Sequence, residues 1–255
     1  MAGHSKWSNI KHRKAAQDNK KGKIWSKCSK AIMVAAKMGG GDPETNLALR
    51  YAIDEAKYAN MPKDTIKRAI AKGSGETGGA EYQELIYEGY GPGGTALLVI
   101  ALTDNNTRTV GDVRNTFKKK GGSMGNAGSV AFMFSTKGQI IIDASKYDED
   151  TIMDQALEAG ADDVQAPQGV DDENKGVWTI LTDPTEFIAV KESLEANGIE
   201  ILEAEIARIP ENMVAVVGED ARKVMNLIDA LEENDDVQKV YSNADFDAAD
   251  LANLE

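Results

Sequence analysis

The chain has little of the chemistry from which most active sites are built. Of its 255 residues only Cys28 is a cysteine, and only His4 and His12 are histidines. One cysteine excludes an intrachain disulfide and fits a reducing compartment. The two histidines have no Cys or carboxylate at metal-ligand spacing, so they make a poor metal set. No apolar run approaches the ~20 residues of a membrane span. The first residues lack the apolar core of a secretory signal, and their Lys-rich, Trp-containing run lacks the Arg/Ser bias of a mitochondrial transit peptide. A cytoplasmic location, away from membranes, is the expectation. The phosphate-cradling G-x-x-x-x-G-K-[ST], the zinc-binding H-E-x-x-H and the nucleophile G-x-S-x-G are all missing. Residues 73–78 spell G-x-G-x-x-G, but they come after a helical pattern rather than a strand, and they read as a flexible linker. Asp171-Asp172-Glu173-Asn174-Lys175-Gly176 begins like a calcium loop, yet position 182 is Thr where the closing Glu belongs, so it reads as a solvated turn. No metal site is expected from these residues.

What is present is a charge split by position. Residues 1–72 hold 16 Lys/Arg against 6 Asp/Glu, a net of +10, and residues 73–255 hold 13 against 36, a net of −23. The overall −13 therefore hides a basic head on an acidic body. Folding does not require a surplus of one sign, and self-repulsion makes it mildly costly. A basic segment of this kind is the electrostatic footprint of a polyanion binder, with the contact confined to the head because the body is repelled.

The head reads as helices. Ser8 is placed to cap a first helix carrying Ile10, Lys11, Arg13 and Lys14. Over residues 22–38, Trp25, Cys28, Ile32, Ala35 and Ala36 recur at helical spacing, while Lys23, Lys27, Lys30 and Lys37 fall on a separate face. Gly39-Gly40-Gly41 ends that helix. Asp42 as cap and Pro43 as first helical residue predict a restart lined by Leu49, Ile53 and Ala56. Pro62 opens a last helix, with Ile66 and Ile70 inward and Lys63, Lys67, Arg68 and Lys72 outward, closed by Gly73. The candidate nucleic-acid contacts are His4, Lys6, Trp7, Lys11, His12, Arg13, Lys14, Lys20, Lys21, Lys23, Lys27, Lys30 and Lys37. Lysines position a protein on phosphate without reading sequence. Trp7 has two roles open to it, stacking on an unpaired base or stapling the first helix. Few core anchors occur in residues 1–20, which are expected to order only on binding.

The body reads as two α/β units. Strands are expected at 82–88 and 95–102 around the turn-forming Gly89–Gly94, a helix at 107–120 capped by Asn106 or Thr107, and a strand at 130–135. Lys118-Lys119-Lys120 suit a last helical turn, with phosphate contact the sharper alternative. Strand 139–143, helix 149–159, strands 162–166 and 177–182, helix 184–196 and strand 199–207 have the βαββαβ order of a ferredoxin-like unit. Strand 213–217, helix 219–233 and strand 237–242 then return to complete the first unit. The fold class is thus α+β and multi-domain. The expected units are a helical domain at 1–76, a discontinuous α/β domain at 77–137 plus 208–246, an inserted ferredoxin-like domain at 138–207, and a frayed acidic tail at 247–255. Cys28 belongs with core packing. A competing reading makes the polar cluster Asp104–Arg114 the site of an enzyme or binding module for a phosphorylated small ligand, where Arg108 and Arg114 invite a phosphate or a partner carboxylate.

Several segments resemble the YebC family, which also includes a mitochondrial translational activator of cytochrome oxidase subunit one. They are Met1-Ala2-Gly3-His4-Ser5-Lys6-Trp7-Ser8-Asn9-Ile10-Lys11-His12-Arg13-Lys14, Met38-Gly39-Gly40-Gly41-Asp42-Pro43, Ala59-Asn60-Met61-Pro62-Lys63-Asp64 and Tyr87–Gly94. Leu102-Thr103-Asp104-Asn105 and Gly128-Ser129-Val130-Ala131 continue the likeness, which runs essentially end to end. The resemblance implies three domains and no enzyme activity or cofactor. It implies DNA binding in transcriptional regulation, and also a role in translation on the ribosome, with ribosomal RNA and tRNA as partners. A homodimer through the acidic domains is a further partner to consider. Departures are Leu47 and Ala48, where relatives often carry Pro and Arg, Phe132, where many carry Trp, and Lys27-Cys28-Ser29, which replaces a more apolar stretch.

Overall fold

The computed structural model describes residues 18–75, 81–167 and 176–247, with side chains from residue 21 onward. The expected first helix around Ser8, the order of residues 1–20, the Gly-rich linker beyond Gly75, the Asp171–Lys175 turn and the tail beyond Asp247 lie outside the described residues.

The head is three helices, α1 (Asp18–Gly39), α2 (Leu47–Tyr58) and α3 (Lys63–Ser74). The apolar stripe of α1 meets Leu49, Ile53 and Ala56 of α2 and Ile66 and Ala69 of α3 in one core. Two local expectations change. Asp42-Pro43-Glu44 forms a turn rather than a helix start: the Asp42 carboxylate accepts from the Glu44 N–H at 3.0 Å. The cap of α2 is Asn46, whose Oδ1 accepts from Leu49 N at 3.1 Å, while its Nδ2 donates to the Ala35 and Gly40 carbonyls at 2.8 Å each. One buried side chain thus caps α2 and satisfies the end of α1, a stronger solution than an aspartate four residues earlier. Gly73 does not terminate α3. It lies within the helix, where an added Cβ would sit 2.4 Å from the Met33 carbonyl oxygen, and its bareness lets α3 pack closely on α1.

The first α/β unit pairs β1 (Gln83–Tyr90) with β2 (Ala96–Thr103) as an antiparallel hairpin. Helix α4 (Asn106–Lys119) comes next, capped by Asn105, one residue before the expected positions. After β3 (Ser123–Met124) the chain enters β4 (Phe134–Asp143). The strands expected at 130–135 and 139–143 are one ten-residue strand preceded by a turn of 3-10 helix at Ala131–Met133. Lys137-Gly138 reads as a break by composition. Yet Gly138 is a packing site: a Cβ there would lie 2.2 Å from Thr182 Oγ1 and 2.6 Å from a Phe187 ring carbon.

Helix α5 (Glu149–Ala159), β5 (Asp163–Gln165), β6 (Val177–Thr182), α6 (Phe187–Ala196) and β7 (Ile201–Pro210) complete a second sheet of order β5-β6-β4-β7. With every neighbouring pair antiparallel, this is the ferredoxin-like arrangement. Strand β8 (Val214–Val216), α7 (Gly218–Glu232) and β9 (Val237–Ser242) then return, and β9 pairs with β2 to give the order β3-β1-β2-β9. The second unit is therefore inserted in the first. β4 and β7 run paired from Phe134↔Pro210 to Ile142↔Ile201, straight through the positions at which the sequence divides the two units. Beyond β9, Ala244–Phe246 forms β10, parallel to β8, and Phe246 is buried. The strand is thus anchored by an apolar residue immediately before the acidic tail.

Candidate nucleic-acid interface

The structure sorts the basic residues of the head into two sets. Lys23, Lys27 and Lys30 stand on successive turns of α1 and reach across to the C-terminal end of α7. Lys23 donates to the Glu233 carbonyl, and its ammonium is 3.7 Å from Asp235. Lys27 donates to the Glu232 carbonyl at 2.7 Å. Lys30 donates to the Asp235 carbonyl at 2.9 Å, the Asp236 carboxylate at 3.1 Å and the Leu102 carbonyl at 3.3 Å. A helix C-terminus carries partial negative charge and unsatisfied carbonyls, so lysines complete it both electrostatically and by hydrogen bonding. Helical spacing predicts an open lysine face on α1; these three ammonium groups instead face the acidic body.

Asp236 is the hub of this junction. Its carboxylate also accepts from Arg108 Nη2 at 2.6 Å and from Thr109 Oγ1 at 2.8 Å, and Arg108 pairs with Asp104 at 3.0 Å. Burial alone would raise the Asp236 pKa, but the hydrogen bonds from Arg108, Thr109 and Lys30 outweigh it and hold the carboxyl at about 2. Of the Asp104–Arg114 cluster, which the sequence offers as a small-ligand site, Asp104 and Arg108 are thereby committed to joining α4, β9 and the head, while Arg114 stands exposed on α4.

Two further junctions involve α2. Asp54 accepts from Lys191 of α6 at 2.6 Å and from Lys57 at 2.8 Å, with Lys191 and Asp54 both buried. Burial would raise the Asp54 pKa, and the two lysines more than reverse it. Tyr51 meets Phe187 edge to face with ring centroids 5.6 Å apart. Glu55 of α2 lies 3.1 Å from Lys239 of β9, which also pairs with Glu205 of β7, so one lysine touches all three parts of the molecule. Cys28 is buried in the core of the head, and that burial pushes its thiol up to about 12, which removes it from nucleophilic chemistry at neutral pH. Among the described residues, no group of three or more His, Cys, Asp or Glu is placed to hold a metal ion, and no helix is long and apolar enough to cross a membrane.

The second basic set is exposed. Lys21 and Lys37 lie on the surface of α1, and α3 presents Lys63, Lys67, Arg68 and Lys72 to solvent against the single Asp64. Lys20 falls in α1, its side chain outside the described residues, and His4, Lys6, Trp7, Lys11, His12, Arg13 and Lys14 lie outside them altogether. The junction residues Asp236, Asp54, Lys191 and Lys239 carry no motif, and only the three-dimensional arrangement reveals them.

Known proteins share this architecture. Residues 5–76 match the family described as the TACO1/YebC protein N-terminal domain, and residues 82–244 match the TACO1/YebC second and third domain. A protein of Syntrophotalea carbinolica named a probable transcriptional regulatory protein is 54% identical over 254 residues, covering 100% of this chain and 99% of that one. A protein of the same name from Persephonella marina is 53% identical over 244 residues, 95% of each chain. The crystal structure of a conserved hypothetical protein from Aquifex aeolicus superposes with a TM-score of 0.81 at 44% identity, covering 90% of this chain and 92% of that one.

Proposed function

The chain belongs to the TACO1/YebC family, and on that premise we propose that it is a non-enzymatic cytoplasmic regulator of gene expression that binds nucleic acid through its basic head. One observation carries this reading: a net +10 over residues 1–72 against −23 over the rest. The relatives' name, probable transcriptional regulatory protein, supports the regulatory role. The contact comprises the basic residues before α1 (Lys6, Lys11, Arg13, Lys14), Lys20, Lys21 and Lys37, extended by the cations of α3. Lys23, Lys27 and Lys30 have the different task of holding the head on the body.

The test is the salt dependence of binding. On duplex DNA each neutralised phosphate contributes about 0.9 to the slope of log affinity against log salt, so six contacts give a slope near −5 and an affinity loss of about a thousandfold between 50 and 200 mM salt. A flat response refutes the reading. A ribosomal target is the second reading. Its support is that the junctions hold the acidic body close to any bound polyanion, which opposes wrapping on a duplex and suits a local contact with folded RNA. Ribosomes offered with duplex DNA as competitor, and protein lacking residues 1–20 as control, separate the two. Retention that DNA cannot displace makes the chain a translation factor; displacement makes it a DNA-binding regulator.

A further inference from the structure

The first sheet has an outer edge that is half used. Its order is β3-β1-β2-β9, so β3 occupies the lane beside β1. It fills that lane at one end only. Met124 and Ser123 pair with Gly89 and Tyr90, and the Gly125 N–H donates to the Glu88 carbonyl at 2.8 Å. The chain then leaves the lane, drawn away by Glu88. The buried Glu88 carboxylate accepts from the backbone N–H groups of Gly128, Val130 and Ala131 at 2.6, 2.6 and 2.7 Å. Val130 packs in one cluster with Leu98, the residue opposite Glu88 on β2, so the loop lies over the sheet face instead of along its edge. Tyr90 Oη secures the same loop by donating to the Ser129 carbonyl at 2.8 Å. A buried charge devoted to three amides of one loop fixes its backbone, because leaving either partner unpaired is costly.

Opposite Glu84–Ile86 the lane stays open. In an antiparallel ladder the N–H and C=O of one residue point to the same edge, and alternate residues share that edge. The Glu88 carbonyl faces the lane, and the register of β1 on β2 is unbroken from Gln83 to Tyr90. Ile86 and Glu84 therefore turn their N–H and C=O groups into the lane as well. Among the described residues, none of these four groups has a hydrogen-bond partner. Bare edges are ordinarily blunted by proline, lysine or a bulge. Residues Gln83–Ile86 have none of these. Leu85 and Tyr87 point into the core beneath α4 and α7. Ile86 lies on the other face, opposite Ile100 of β2, and is 44% exposed. Glu84 and Glu81 are exposed and make this end of the lane acidic.

We propose that the open lane beside Glu84–Ile86 docks an extended segment of a partner protein, which adds as a strand antiparallel to β1 and in line with β3, with an apolar side chain against Ile86 and a basic one against Glu84. Main-chain hydrogen bonds supply the affinity of such an addition, and alternate side chains supply its selectivity. Directly opposed residues of antiparallel strands pair side chain to side chain. Read away from β3, the complementary order is therefore Val-Val-Lys, set against Ile86, Leu85 and Glu84. The acidity of the body argues against a second copy as the occupant, since two bodies of net −23 would be brought edge to edge. No residue of the head takes part, so the proposal stands apart from nucleic-acid binding.

The experiment titrates the full-length chain with the peptide acetyl-Thr-Val-Val-Lys-Thr-Lys-amide, reading backbone amide exchange by NMR and affinity by fluorescence anisotropy of the labelled peptide. In the free chain the amides of Glu84 and Ile86 should exchange fast, while those of Leu85 and Tyr87, bonded to β2, are protected. The peptide should protect 84 and 86 and leave 85 and 87 as they were, an alternation that only strand addition at this edge produces. Glu84→Lys should weaken this peptide about fivefold, and a peptide with Glu in place of its first Lys should recover the loss on that variant. The substituted side chain is exposed, so an unchanged Tm should confirm that the variant folds. No binding at millimolar peptide, or binding without the alternating protection, overturns the proposal. So does protection of 84 and 86 in the free chain. If independent of protein concentration, it assigns the lane to the chain's own residues; if it grows with concentration, it assigns the lane to a second copy.

Discussion

Replacing Asp236 by Asn tests whether the head is locked to the body by charge. The side chain keeps its shape, but its carboxylate no longer answers Lys30 at 3.1 Å or Arg108 at 2.6 Å, and its new NH2 group is a donor among donors. Two magnitudes bound the effect. The drop in the Asp236 pKa from 3.8 to about 2 corresponds to about 2 kcal/mol of folded-state preference for the anion. Breaking a fully buried ion pair costs about 3–5 kcal/mol, because the surviving charge is left without a partner. Here Arg108 is 47% exposed and can return to water, so the loss should sit at the lower end, about 2–3 kcal/mol. The folded-state pKa is depressed, so this stability is present above about pH 4 and is lost as pH falls through 4 toward 2. Urea unfolding at pH 7 should show the variant less stable by that amount, and the gap should close as pH falls below 4. An unchanged midpoint at pH 7, or a gap that widens with acid, refutes the reasoning.

Three other perturbations have worked outcomes. Asp54→Asn should cost about 3 kcal/mol in urea unfolding by leaving the buried Lys191 ammonium with only Glu195, 3.8 Å away, whereas Asp54→Leu with Lys191→Met should cost markedly less than the sum of the two single changes. Gly73→Ala forces a methyl to 2.4 Å from the Met33 carbonyl and 2.9 Å from Ala36 Cβ, and should lower stability by about 1–3 kcal/mol by prising α3 from α1, read as a fall in Tm. Burial would raise the Glu88 pKa, but the amides of Val130, Gly128 and Ala131 bring it below the ordinary value; Glu88→Gln should therefore lower the hydrogen-exchange protection factors at 128, 130 and 131, and acidifying the wild type until this carboxylate takes up its proton should lower them too, once rates are normalised to intrinsic exchange at each pH.

The elements were largely legible because their signals are local. Helices 149–159 and 219–233 and strands 177–182 and 237–242 appear within a residue or so of where periodicity puts them, and the βαββαβ order names its own sheet. The misreadings are equally physical. Gly73 and Gly138 read as breaks, since glycine ends elements more often than it lets them touch, and the difference lies in a neighbour distant in sequence. Asp42-Pro43 carries a stronger cap signal than Asn46, but only Asn46 also reaches the Ala35 and Gly40 carbonyls. The charge split was visible, and its division of labour was not. Lys23, Lys27 and Lys30 have the same residue type and helical spacing that a phosphate-binding face would have, and what distinguishes them is the end of a helix some two hundred residues later.

That division of labour has a consequence for salt. The joints between head and body are partly buried: the side chains of Lys30 and Asp236 are 14% and 9% exposed, and those of Lys191 and Asp54 are 7% and 12% exposed. The remaining cations of α3 and of residues 118–120 are exposed. Salt shortens the Debye length from about 10 Å at 0.1 M to about 3 Å at 1 M and screens exposed charges far more than buried ones. Raising salt should therefore release nucleic acid while the head stays docked. Small-angle scattering of the free protein should give the same radius of gyration at 0.1 and 0.5 M salt, over the range in which binding is lost. An expansion that tracks the loss of binding would mean that the lysines of α1 are held as weakly as those on the surface, and that the head opens in order to bind. The buried geometry argues the other way: the lysines of α1 that face α7 hold the head in place, and the proposed polyanion contact falls to exposed cations elsewhere.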